Sequence, residues 1–108
     1  MQMKAERRNF ARITVNIPAA LSLIQVDAYH TGAIANLSRG GCFFPMASKL
    51  PLGEECDISI TTGEGAEETV FNMKGRIVRS DGVGVGIKFM DDQEQIAKLL
   101  KKLYFKQD

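Results

Sequence analysis

The stretch Val83-Gly84-Val85-Gly86-Ile87-Lys88-Phe89 places Val83, Val85, Ile87 and Phe89 on one face and Gly84, Gly86 and Lys88 on the other. Strict alternation of apolar with bare or polar positions is the period of a strand with one buried face. Directly after it the period changes to 3.6, with Ile96, Leu99, Leu100, Leu103 and Tyr104 forming one stripe on a helix over about residues 91–105. Asp91 followed by Glu94 reads as its capping box. Upstream, Ser80-Asp81-Gly82 is a tight-turn signal, and Phe71, Met73, Gly75 and Ile77 alternate with Asn72, Lys74 and Arg76. The same alternation runs through Cys56, Ile58 and Ile60 and, near the start, through Ile13, Val15 and Ile17. A run of small residues, Thr31 to Ser38, is separated by Gly40-Gly41 from an apolar run, Cys42 to Phe44, which Pro45 ends. Five or six short antiparallel strands and one terminal helix predict an all-β protein, a small barrel plugged by that helix.

With 108 residues there is room for one domain and one modest core. The chain divides into a basic arm over residues 1–12 and a barrel domain over 13–108. A net charge of +1 gives no field able to hold a long nucleic acid or an anionic bilayer. Charge is nevertheless segregated. Lys4, Arg7, Arg8 and Arg12 against Glu6 give the first twelve residues +3, whereas Leu50 to Met73 carries six carboxylates and no Lys or Arg. The opening MQMKAERRNF has no apolar run of a secretory signal, and the longest nearly apolar stretch, Ile17 to Ile24, is far short of the roughly 18 residues a membrane span requires. A cytoplasmic location is therefore expected. Cys42 and Cys56 read as two reduced, mostly buried thiols, and with no CxxC and a single histidine, His30, no metal site is expected.

Two segments carry candidate chemistry. In RRNFAR, Arg7 to Arg12, the pair Arg8 and Arg12 is four residues apart. In an extended chain both side chains lie on one side, about 13 Å apart, and a curled arm brings them together as a clamp. The guanidinium fork matches phosphate oxygens and equally the O6/N7 edge of guanine. In NLSRGG, Asn36 to Gly41, the polar Asn36 and Ser38 flank Leu37 and so share a strand face. The same residues form Asx- and Ser-type turns, so a structural role is the competing explanation.

Arg8-Asn9-Phe10-Ala11-Arg12 resembles the RxxxR motif, and Asn36-Leu37-Ser38-Arg39-Gly40-Gly41 resembles the (D/N)xSxxG motif, of the PilZ domain family. The GVGIKF strand, the length and the strand-rich pattern extend the resemblance over essentially the whole chain. It implies a six-stranded antiparallel split β-barrel with a C-terminal helix, acting as a receptor for the bacterial second messenger cyclic di-GMP. It assigns Arg8 and Arg12 to the phosphates and guanine edges, Asn36 and Ser38 to hydrogen bonds with the ligand, and Gly41 to the close turn beneath it. An arginine at position 7 resembles the version that takes a stacked pair of nucleotides rather than one. The glycine face of VGVGIKF offers a surface low enough for the ligand to sit against, and alternating glycines equally mark sharp barrel coiling.

A switch follows as the expected mechanism. The basic arm has too few apolar residues to offset an ordering cost of about 1 to 2 kcal/mol per residue on its own. Ligand bonds would hold it across the barrel mouth, where an unidentified downstream protein reads the change. Two other classes remain. One is a PilZ-like adaptor that binds protein and no nucleotide. The other is a single-stranded nucleic-acid binder, which needs outward aromatics, whereas this chain lacks Trp and places Phe43, Phe71 and Phe89 on apolar faces. No enzyme is expected, because no nucleophile, metal set or acid/base pair emerges, and no cofactor beyond the nucleotide ligand is called for. Self-association through the apolar stripe of the helix is left open.

Overall fold

The computed structural model describes residues 13–25, 28–90 and 93–106. Six strands follow in chain order: β1 (Ile13–Leu23), β2 (Ala28–Leu37), β3 (Gly41–Pro45), β4 (Glu55–Thr62), β5 (Thr69–Ser80) and β6 (Gly84–Phe89). A single 3-10 turn, Gly65–Glu67, sits between β4 and β5, and a helix α1 (Gln93–Lys106) ends the described chain. The strands close into an all-antiparallel ring in the order β1-β2-β3-β6-β5-β4, with β4 returning to β1. The expected six-stranded barrel with its terminal helix is what forms.

Alternation fixes the interior. Ala19, Leu21 and Leu23 of β1, Ile34 and Leu37 of β2, Cys42 and Phe44 of β3, and Cys56, Ile58 and Ile60 of β4 are buried. Phe71, Met73 and Ile77 of β5 and Val85, Ile87 and Phe89 of β6 complete the wall. Val83 departs from the expected apolar face: it is 71% exposed. Its amide donates to Asp81 Oδ1 at 2.9 Å and its carbonyl accepts from the Met46 amide at 3.1 Å, which holds it in the turn ahead of the strand. Gly82 in that turn has φ +84°, a conformation that glycine adopts without steric penalty.

Two interruptions of register matter. On β1 the pairing to β2 slips between Thr14 and Ile17, and on β5 the pairing to β6 slips between Ile77 and Arg79. Such bulges turn the following side chains to new directions. In the closing seam, β3 pairs with β2 only through Asn36↔Phe43 and Leu37↔Cys42, then runs along β6 from Gly41↔Lys88 to Pro45↔Gly84.

Ile96, Leu99 and Leu103 of α1 are buried in the same core as the barrel residues, with Leu100 half-buried beside them. Lys102 Nζ donates to Thr69 Oγ1 at 2.6 Å and ties the helix to the start of β5. Asp91 of the expected capping box and the Tyr104 side chain lie outside the described residues. Both thiols are free and buried. Burial raises the Cys42 thiol well beyond its ordinary value and pushes the Cys56 thiol up to about 11, so both are protonated at neutral pH. No helix among the described residues is long and apolar enough to cross a membrane.

Leu99 is fully buried, so Leu99→Ala removes its burial and leaves a cavity. A loss of about 2 to 5 kcal/mol is expected in denaturant unfolding. Lys98→Ala, at an exposed position one residue earlier, should stay within about 0.5 kcal/mol of the parent.

Candidate functional site

The end of β2, the turn after it and the outer faces of β3, β5 and β6 enclose a groove of about 480 Å³. Asn36, Ser38, Gly40, Gly41, Phe43, Arg79, Gly86 and Lys88 are among the residues that line it. That size lies within the range of small-molecule sites. Leu37 points into the core while Asn36 and Ser38 stay half-buried on the groove side, so the two motif side chains project together as expected. Arg7, Arg8 and Arg12 lie outside the described residues, as does the expectation of a switching arm over 1–12.

The turn in NLSRGG is built by the motif itself. The Ser38 amide donates to the Gly41 carbonyl at 2.9 Å, the Gly40 amide donates to Ser38 Oγ at 3.2 Å, and the Ser38 hydroxyl donates to the Gly41 carbonyl at 3.4 Å. The serine therefore already performs a turn role. Its oxygen has one lone pair left with which to accept a further bond. Asn36 makes no side-chain hydrogen bond among the described residues, so its amide is available to the groove.

Gly41 is required for a reason beyond the expected close turn. Its φ is not left-handed. A Cβ built there would lie 2.0 Å from the Ile87 carbonyl oxygen, so the missing side chain is what lets β3 approach β6. The glycines of VGVGIKF divide their roles. A Cβ at Gly84 would fall 2.1 Å from the Phe43 ring, so that position is filled by Phe43 rather than left open. Gly86 does line the groove.

Phe43 corrects the sequence expectation. Phe71 and Phe89 are buried, but Phe43 faces outward, because its neighbours Cys42 and Phe44 take the inward positions of β3. Its ring lies beneath the guanidinium of Arg79, whose carbon is 5.2 Å from the ring centroid. Arg79 and Lys88 are the cations that sequence reasoning passed over. Strict alternation from Ile77 sends Arg79 inward, and the bulge before it turns both Val78 and Arg79 outward. A charged residue at a would-be core position was the available signal.

Charge around the groove is uneven. On the neighbouring outer face, Lys74 pairs with Asp57 at 3.1 Å and Arg76 with Glu55 at 3.2 Å, so part of the acidic stretch is matched by β5. Arg79 Nε and Nη2 donate to Asp81 Oδ2 at 3.3 and 3.2 Å. Lys88 is exposed and forms no ion pair among the described residues. The amides of Val83 and Gly84, both donating to Asp81 Oδ1, hold its carboxyl below the usual carboxylate range, with Arg79 adding to the effect. His30, opposite Leu21, has a buried Nε2 with no hydrogen-bond partner among the described residues. Among the described residues no group of three or more His, Cys, Asp or Glu side chains gathers as a metal cluster would.

A ring of six antiparallel strands with a terminal helix, and the NLSRGG turn at the edge of a groove, define a small closed β-barrel class. The chain belongs to the PilZ domain family, whose model matches residues 6–106. Cyclic di-GMP binding is typical of that family. Comparison with curated proteins finds no match. Among solved structures, the inhibitor of motility MotI/DgrA of Bacillus subtilis is similar with a TM-score of 0.65 and 17% identity, over 89% of this chain and 53% of that one. This chain thus spans about half of that protein. The PilZ domain of CeSA from a cellulose-synthesizing bacterium is similar with a TM-score of 0.61 and 24% identity, over 91% of this chain and 99% of that one. Both likenesses concern the fold.

Two outcomes follow from the site. Gly41→Ala should lower stability by about 1 to 3 kcal/mol through overpacking, seen as a thermal midpoint lower by roughly 5 to 20 °C. The Asp81 contribution is complete above its unfolded value of about pH 4 and is lost as pH falls through its lowered folded value. In an NMR titration the Val83 and Gly84 amides should therefore hold their shifts down to pH about 4 and move only below it. Asp81→Asn should abolish that acid step.

Proposed function

We propose that this chain is a cyclic di-GMP receptor whose ligand occupies the groove beside NLSRGG. The register of β1 is the observation that carries this furthest. Ile13 pairs with Leu37 and Thr14 with Asn36, so the chain carrying RxxxR joins the barrel immediately beside the turn carrying NxSxxG. RxxxR ends one residue before this join and about two dozen residues of sequence ahead of NxSxxG, which supports the reading that both motifs serve one ligand. In this proposal Arg8 and Arg12 supply charge-assisted hydrogen bonds to phosphate and guanine edges, while Asn36 and the remaining lone pair of Ser38 bond the ligand. Arg7 favours a stacked pair of nucleotides over one. Gly41 acts at one remove, by keeping β3 against β6.

The proposal includes a switch. Each charge-assisted bond returns about 1.5 to 3 kcal/mol, and several together offset the ordering of the arm. The ordered arm then presents a surface for a downstream protein. The adaptor alternative, binding protein without nucleotide, stays as the competing outcome. The outward Phe43 removes one objection to a single-stranded nucleic-acid binder, but a half-buried ring covered by Arg79 is not the series of stacking platforms such binding uses.

Calorimetric titration with cyclic di-GMP tests the proposal. The parent protein should bind with a stoichiometry of two, and Arg8→Ala and Arg12→Ala should each weaken binding about tenfold or more. Absence of binding by the parent would return the adaptor function, and unaltered affinity in both variants would remove the arm from the site.

A further inference from the structure

Resting on the nucleotide-binding function proposed above, we infer that Arg79 and Phe43 form a base-stacking platform on the groove wall, a ligand contact contained in neither sequence motif. The platform is built in three layers. At the bottom, two alternate positions of β6 carry no side chain. A Cβ at Gly84 would strike the Phe43 ring, and one at Gly86 would lie 3.1 Å from Arg79 Cβ. The vacated space lets the ring of Phe43 and the stem of Arg79 lie low against the sheet. Above them, the Arg79 guanidinium carbon sits 5.2 Å from the ring centroid, within cation–π range. At the rim, Asp81 Oδ2 accepts from Nε and Nη2 and fixes the rotation of the guanidinium.

The arrangement is specific in what it leaves available. The Arg79 side chain keeps 61% of its surface exposed. Nη1 makes no hydrogen bond among the described residues, and Arg79 and Phe43 both line the groove. A flat, delocalised cation supported from below stacks on the π-face of a nucleobase, which a lysine ammonium cannot do. The bulge after Ile77 is what aims it there: without it the arginine would point into the barrel. A bare surface ion pair would need neither the bulge nor the two glycine seats. The occupant is the purine ring of a nucleotide whose phosphates are held elsewhere in the same groove.

Binding of cyclic di-GMP to the full chain distinguishes the possibilities. Arg79→Ala should weaken affinity about tenfold to hundredfold, the size of one lost base stack. Arg79→Lys keeps the charge but loses the plane, and should recover little of that loss. Phe43→Leu should weaken binding several-fold. In the parent, ligand should move the Arg79 Nε–H NMR signal upfield through the ring current of the base. Thermal midpoints of the unliganded Arg79 variants should stay within a few degrees of the parent, since the side chain is exposed. Tight binding by the parent that persists unchanged in Arg79→Ala, or equal affinity in Arg79→Lys and the parent, overturns the platform and leaves the receptor function standing. Failure of the parent itself to bind overturns both.

Discussion

The approach of β3 to β6 is the contact on which the barrel depends. β3 is five residues long and must close the ring between β2 and β6, so it has little length over which to correct a poor fit. The fit is set at its first residue, where the Ile87 carbonyl occupies the space a Gly41 side chain would need. From that contact the ladder runs out to Pro45↔Gly84, Cys42 and Phe44 turn inward, and Phe43 is left on the outside. The glycine that ends NLSRGG is therefore a folding residue first. Its place beside the groove follows from the geometry of closure.

The rest of the wall is conventional in its energetics. Among the described residues, nineteen buried apolar side chains from six strands and the helix share one core, and this burial is the main driving term. The cross-strand pairs Lys74–Asp57 and Arg76–Glu55 are exposed, so each adds little, on the order of 0 to 1 kcal/mol. Their larger effect is on the field of the surface. They bind up the basic residues in the middle of β5, and among the described residues the cations lining the groove are Arg79, held at one edge by Asp81, and Lys88.

Alternation made the fold legible because every strand has one buried face. The inward series Phe71, Met73, Gly75, Ile77 and the outward series Asn72, Lys74, Arg76 could be written down from the sequence and are what the structure contains. The helix stripe was legible for the same reason, with Ile96, Leu99 and Leu103 buried. Legibility failed where backbone geometry breaks the period. A single extra residue on β5 sends Arg79 outward, and a carboxylate-capped turn withholds Val83 from its strand. Apolar character alone does not send Phe43 inward, because its neighbours Cys42 and Phe44 hold the interior positions of β3. At the site, NLSRGG announced Asn36 and Ser38, but the serine's bonds to Gly40 and Gly41 are a property of the folded turn. Hence NLSRGG led to one side of the groove, and its far wall could be found only in three dimensions.

The seam between β2 and β3 has a dynamic consequence. β2 runs from Ala28 to Leu37, yet only Asn36 and Leu37 are paired with β3, while its partnership with β1 extends along nearly its whole length. Strand pairs with few rungs open at low free energy, on their own and ahead of the rest of a domain. The join of the barrel with fewest rungs thus coincides with the rim of its groove. Anything that bonds Asn36 on one side and the outer face of β3 on the other acts as a staple across that join. A molecule seated there would therefore bear on the join that has fewest rungs to hold it.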